Sequence, residues 1–122
     1  RPILAHLVGR ANKIDPDVIM NISLSVELLH NFTLIHDDIM DEAPIRRGKE
    51  TVHKKWDLNT GILSGDAMLI LAYQLFENYE SDMFSELAKL FSKTALQVCE
   101  GQQYDVDFEK RNNVTIEEYL KM

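Results

Sequence analysis

Cysteine is nearly absent: Cys99 stands alone, so no internal disulfide can form, which suits a reducing compartment. Within its helical pattern Cys99 is expected to be a small buried residue. Positive charge is also scarce. Thirteen Lys and Arg against 20 Asp and Glu leave a net charge of −7, which argues against nonspecific nucleic-acid binding as the main role. No stretch sustains the period-two alternation of a half-buried strand, and no internal repeat or low-complexity segment interrupts the chain. The opening RPILAHLVGR lacks the apolar core and cleavage site of a signal peptide. The longest apolar run, Ile62–Phe76, is too short for a membrane span and is broken by Asp66. With 45% hydrophobic and 27% charged residues, the expectation is a soluble, cytoplasmic globular chain with no nucleic-acid partner and no transmembrane segment.

What remains is helix. Pro2 opens a first helix, over 2–11, with an apolar stripe of Ile3, Leu4, Leu7 and Val8. Asp15-Pro16 is an N-cap followed by proline at the first helical position, and the helix it starts runs about 25 residues, to Asp41. Val18, Ile19, Ile22, Val26, Leu29, Ile35 and Ile39 are spread around it, which predicts a largely buried helix. Pro44 and Gly48 mark a loop. Further helices are expected over 62–79 and 82–104, and Thr115-x-x-Glu118 is a capping box for a fifth. That helix stops at Met122, under two turns in, and the chain opens on an arginine. The expectation is one partial domain over residues 1–122, all-α, cut from something longer at both ends.

Chemistry concentrates where the second helix ends. At about 100° per residue, His30, Asp37 and Asp41 fall within roughly 20° of one another, with Asp38 beside them. Asp37 and Asp41 lie one turn apart, close enough to share a cation. The helix dipole disfavours negative charge at a C-terminus by about 0.3–1 kcal/mol per group, so three carboxylates there call for a compensating cation. Magnesium is suited, since it takes one or two carboxylates and fills its other positions with water and phosphate oxygens. Ion pairing with the arginines that follow, or a solvated acidic end, are the other outcomes. Arg46 and Arg47 present planar forks suited to phosphate. Metal on one side and guanidinium on the other is a consistent arrangement for a diphosphate. A weaker cluster pairs Gln102 with Asp105, three apart on one helical face and near the expected helix end.

The run DDIMD, the spacer EAPI and then RRGK closely resemble the first aspartate-rich motif of the trans-isoprenyl diphosphate synthases, the polyprenyl synthetases. ELLHNFTLIHDD, GDAMLILAYQLF, GQQYD and the opening RPILA resemble further family elements in the family's order, so the resemblance covers essentially the whole chain. It implies a portion of the antiparallel isoprenoid synthase helical bundle. It also implies magnesium-dependent, head-to-tail condensation of an allylic prenyl diphosphate with isopentenyl diphosphate. On this resemblance Asp37, Asp38 and Asp41 match the aspartates that hold magnesium, Asp37 and Asp41 being its direct ligands. Arg46 matches the arginine on the allylic diphosphate and Arg47 the one on isopentenyl diphosphate. His30 and Arg1 match further contacts to isopentenyl diphosphate, and Gln102 and Asp105 a polar pair near the metal cluster. Phe32 and Thr33, five and four residues before Asp37, match positions that help set product length. Asp66 has a counterpart with a structural role. A homodimer is implied, through the helices expected at 62–79 and 82–104.

The lysine of the GKxxRP motif and the second aspartate-rich motif do not occur in these 122 residues. The resemblance therefore implies the N-terminal third to half of a family member, inactive by itself. Two rivals stand beside it. A terpene cyclase would share the aspartate helix but has no use for a second diphosphate site built from Arg47 and His30. A noncatalytic helical partner should have lost site residues, and none of the matching positions here is lost.

Overall fold

The computed structural model describes all residues, 1–122, and divides them into two compact units, Arg1–Phe84 and Ser85–Met122. The first contains α1 (Pro2–Ala11), α2 (Pro16–Met40), β1 (Ile45–Arg46), β2 (Lys49–Glu50), α3 (Val52–Lys55), α4 (Leu58–Gln74) and a 3-10 turn, Leu75–Asn78. The fold is all-α apart from that two-stranded hairpin.

Local chemistry sets the helix limits. The Asp15 carboxylate accepts the Asp17 N–H at 2.9 Å with Pro16 in the first turn, as the Asp-Pro pair predicts. Upstream, α1 is closed by a Schellman motif. There Ile14 N–H donates to Gly9 O and Lys13 N–H to Arg10 O, with Lys13 in the left-handed region at φ 58°.

α2 and α4 run antiparallel, and four cross-contacts fix their register. The Tyr79 hydroxyl, just past the 3-10 turn, donates to Val18 O, and Ser25 Oγ donates to Ala72 O at 2.9 Å. His36 meets Gly65, and Ile39 meets Gly61. Both glycines are buried, and the missing side chains let the two backbones approach. The core comprises Ile19, Leu29, Phe32, Ala72 and Phe76. Ser23 and Ser25 are fully buried there, and each hydroxyl is satisfied by a backbone carbonyl. By length and composition alone α2 could cross a bilayer; in this structure it packs against α1, α4 and the 3-10 turn.

The second unit holds most of α5 (Ser81–Glu109), with Phe91 buried, and α6 (Ile116–Lys121). The expected capping box forms: Thr115 Oγ1 accepts from Glu118 N–H at 3.2 Å, and Glu118 Oε2 accepts from Thr115 N–H at 2.9 Å.

Several boundaries differ from expectation. α4 begins at Leu58, because Asp57 caps it by accepting Thr60 N–H at 2.8 Å, and it tightens to 3-10 geometry after Gln74. α5 runs five residues past 104, which puts Gln102 and Asp105 inside the helix and not at a fraying end. The loop at 44–48 contains a hairpin, and α3 follows it. Cys99 is exposed, not buried. Val26 is exposed as well, so α2 is covered on fewer sides than its composition predicts.

Candidate active site

α2 ends in a second Schellman motif. Ala43 N–H donates to Asp38 O at 2.9 Å and Glu42 N–H to Ile39 O at 3.2 Å, with Glu42 left-handed at φ 52°. This sharp stop leaves Asp41 as the exposed C-cap and Asp37 half-buried one turn back, and turns Asp38 inward to 5% exposure.

Ile45 to Glu50 then fold back as a hairpin whose register pairs Ile45 with Glu50 and Arg46 with Lys49. The two turn residues, Arg47 and Gly48, have φ of 52° and 78°, the pair of positive values a type I′ turn requires. Gly48 takes this conformation without strain, whereas Arg47 sits in a region most side chains avoid. The base of the hairpin is tied to the exit of α2 by Thr51, 3% exposed. Its Oγ1 donates to Ala43 O at 2.7 Å and its N–H to Pro44 O at 3.2 Å.

The hairpin delivers Arg46 to the acids. Its Nε donates to Asp38 Oδ1 at 2.7 Å and its Nη2 to Asp37 Oδ2 at 2.9 Å, so one guanidinium spans two carboxylates. The hydrogen bond to Asp38 raises the already high pKa of Arg46 against the opposing effect of burial. Ion pairing with a following arginine, one of the outcomes open at the level of spacing, is thus realised.

One turn or more earlier on α2 lies His30, half-buried. Burial pushes its pKa below the ordinary value, and the positive charges of Arg1, Arg47 and Arg46 push the same way while Glu27 opposes them. Both effects disfavour the charged form of the ring, burial first and the Arg1 guanidinium next. Between His30 and the acids, Phe32 is buried and packs edge-on against the His36 ring at 4.7 Å. Thr33 donates its hydroxyl to His30 O at 2.8 Å. The His36 ring meets Ile62 O at 3.1 Å and lies 3.8 Å from the mostly exposed Asp66 carboxylate.

The chain as a whole matches a known group of proteins. The sequence profile of the polyprenyl synthetases matches residues 1–122 in full. The chain belongs to the polyprenyl synthetase family. It is 42% identical to the geranylgeranyl diphosphate synthase of Methanosarcina mazei, over all of this chain and 38% of that protein. It is 37% identical to a (2E,6E)-farnesyl diphosphate synthase of Mycobacterium tuberculosis, over all of this chain and 34% of that one. A crystal structure of a geranylgeranyl pyrophosphate synthase superposes with a TM-score of 0.93 at 60% identity, covering 98% of this chain and 36% of the other. The synthetase of the archaeon Geoglobus acetivorans follows at 0.90 and 35%, covering 98% of this chain and 40% of its own. The chain thus spans little more than a third of its curated relatives' length, and its helices are part of the all-α isoprenoid synthase bundle.

The acids of this polyprenyl synthetase chain differ in what they offer a cation. No three His, Cys, Asp or Glu side chains are grouped to cage an ion unaided. Magnesium needs only one or two carboxylates when phosphate oxygens and water complete its shell, and Asp37 and Asp41 are of the right kind and spacing. The donor set fits. Gln102 and Asp105 lie in the second unit, one turn apart on α5, and the buried Nε2 of Gln102 has no hydrogen-bond partner. Sequence reasoning missed Thr51 and the His36–Gly65 contact. Thr51 has only its place ahead of a short helix to mark it, while His36, adjacent to Asp37, was overshadowed by the carboxylates.

Proposed function

We propose that the protein carrying this chain is a magnesium-dependent prenyltransferase of isoprenoid biosynthesis, joining an allylic prenyl diphosphate to isopentenyl diphosphate head to tail. The observation that carries the reading is the meeting of two opposite charge clusters at one end of α2. Asp37 and Asp38 are spanned by Arg46, and about two turns earlier on α2 burial and then the charges of Arg1 and Arg47 disfavour a protonated His30. One cluster suits a metal-bound diphosphate, the other a second diphosphate.

In this reading Arg46 binds the allylic diphosphate, while Arg47, Arg1 and His30 bind that of isopentenyl diphosphate. When bound through Asp37 and Asp41, magnesium supplies positive charge that stabilises the departing diphosphate. The allylic C–O bond breaks, the double bond of isopentenyl diphosphate forms the new C–C bond, and a proton leaves to regenerate an alkene. Arg46 holds the diphosphate while negative charge grows on it. Phe32 and Thr33 lie about one turn below Asp37 and restrict how far the growing chain extends down α2. The exposed Leu63, Ile70 and Leu71 on α4 and Leu90 and Leu96 on α5 support association into a homodimer, with the enzyme working in the cytoplasm. The 122 residues alone are expected to be inactive.

Steady-state kinetics on the full-length protein, varying each substrate separately, test the assignment. Arg47→Gln should raise KM mainly for isopentenyl diphosphate and Arg46→Gln mainly for the allylic substrate. Each shift should be on the order of ten- to a hundredfold, the worth of one charge-assisted hydrogen bond. Asp37→Ala should abolish magnesium-dependent turnover with the helix content intact. Equal weakening of both substrates by both arginine variants would leave only a generic basic patch.

A further inference from the structure

We propose that Gly65 of α4, acting through the His36 ring on Phe32, is a further determinant of product length. The proposal rests on the reading of Phe32 as a limit on the growing chain, and it extends that limit from α2 to a second helix.

Phe32 and His36 are four residues apart on α2 and so are neighbours on one face. Their rings meet edge-on, with centroids 4.7 Å apart and planes at 64°, an arrangement aromatic pairs favour. Helical side chains lean back toward the N-terminus, so the imidazole fills the space beside the Phe32 ring. The place of the imidazole is in turn set by α4. Its Nε2 meets Ile62 O at 3.1 Å. A Cβ on Gly65 would stand 2.3 Å from Nε2, 2.5 Å from Cδ2 and 3.3 Å from Cε1. The ring therefore touches the bare backbone of α4 and the Phe32 ring at once.

This contact makes Phe32 a supported floor. With the imidazole in place, the benzyl group has no room to move on that side, and it stays where the growing chain meets it. Without the imidazole, Phe32 can swing into the vacated space and the path down α2 opens. Any side chain at position 65 displaces the imidazole, so a residue on α4 that lies off the path decides how firmly the floor is held. Gly61 supplies the comparison on the same pair of helices. A Cβ there would press on Ile39 Cδ1 at 2.8 Å and would leave the His36–Phe32 pair alone. Gly65 and His36 are thus positioning residues for Phe32.

The full-length enzyme tests this with dimethylallyl diphosphate and isopentenyl diphosphate as substrates, the products being dephosphorylated and separated by chain length. Phe32→Ala is the reference and should lengthen the products. His36→Ala should do the same, raising the ratio of longer to shorter products on the order of two- to tenfold, the worth of one aromatic edge contact. In a Phe32→Ala background His36→Ala should add nothing, because the two act as one unit. His36→Phe, which keeps a ring against Phe32, should return the wild-type ratio. Gly65→Ala should shift the ratio when His36 is present and not when it is alanine, whereas Gly61→Ala should leave it unchanged. A general loss of stability lowers turnover without producing this pattern. Wild-type product ratios from His36→Ala or Gly65→Ala, while Phe32→Ala lengthens the products, overturn the proposal. So does an equal shift from Gly61→Ala. If Phe32→Ala itself leaves product length unchanged, the reading of Phe32 as the limit falls and takes the proposal with it, an outcome distinct from the other two.

Discussion

Replacing Gly65 by alanine sets a gain in helix propensity against a clash, and the distances decide which wins. In the interior of α4 the exchange should gain up to about 1 kcal/mol, since glycine is the costliest ordinary residue in a helix. The new Cβ, however, would stand 2.3 Å from His36 Nε2 and 2.5 Å from its Cδ2, more than 1 Å inside ordinary contact. If the imidazole stays, overpacking costs about 1–3 kcal/mol. If it swings away, it gives up its 3.1 Å contact with Ile62 O, about 0.5–1.5 kcal/mol, and its edge-on contact with Phe32, a similar amount. At mid-range either route outweighs the propensity gain, for a net loss of about 1 kcal/mol. Gly101 is the matched control. It lies inside α5, where a Cβ would meet the Met122 carbonyl at 3.3 Å, a much milder approach, so Gly101→Ala should cost less than Gly65→Ala. Urea unfolding followed by helix ellipticity separates the two, and removing the imidazole with His36→Ala should make Gly65→Ala far less costly. A Gly65→Ala chain that unfolds at the same or higher urea than wild type refutes the steric account of the α2–α4 contact.

Two further outcomes follow from the site. The folded-state pKa of His30 lies below its unfolded value of 6.5, so its contribution to stability is present above that pH and is lost as pH falls through the lowered value. Thermal unfolding across mildly acidic pH should show a decline that His30→Gln flattens, and an unchanged slope would mean that neither burial nor the basic groups hold the ring's pKa down. Thr51→Val keeps the shape but strips Ala43 O of its 2.7 Å partner in a buried place, at a cost of about 1–3 kcal/mol. Amide exchange at Thr51, whose N–H is bonded to Pro44 O, should accelerate if the clasp holds the hairpin, and should stay slow if it does not.

The long helices were readable because their signals are local and strong. Asp15-Pro16 and the Thr115 capping box are side-chain to backbone hydrogen bonds between near neighbours, and both form as expected. The expected start of α4 at 62 lies four residues late, because the helix is capped from Asp57, whose carboxylate accepts the Thr60 N–H three residues on. The hairpin was illegible for another reason. Two residues per strand cannot display alternation, and its turn uses Arg47-Gly48 where asparagine or aspartate usually precedes the glycine. At the site, spacing alone put the carboxylates together at the end of α2. That Asp38 would turn inward and receive Arg46 depended on the Schellman stop and the hairpin register, which no helical wheel contains. The exposure of Cys99 shows the limit of residue-type tendencies, since a cysteine in a helical pattern has no say in which face is covered.

The antiparallel register of α2 and α4 has a consequence for how such a chain can change over generations. Tyr79 is bolted to Val18 at one end, and Ile39 is seated on Gly61 at the other, with Ser25–Ala72 and His36–Gly65 between them. The stretch of α2 between the outer bolts is a ruler about 30 Å long at the α-helical rise. Side chains along it can be exchanged one at a time. A single inserted or deleted residue, by contrast, rotates everything beyond it by about 100° and takes every later contact out of step at once. Length variation is therefore steered toward the turns at 12–15 and 110–115, outside the bolted stretch. The spacing between the bolts and the carboxylates is inherited as a block, free to vary in composition but not in number.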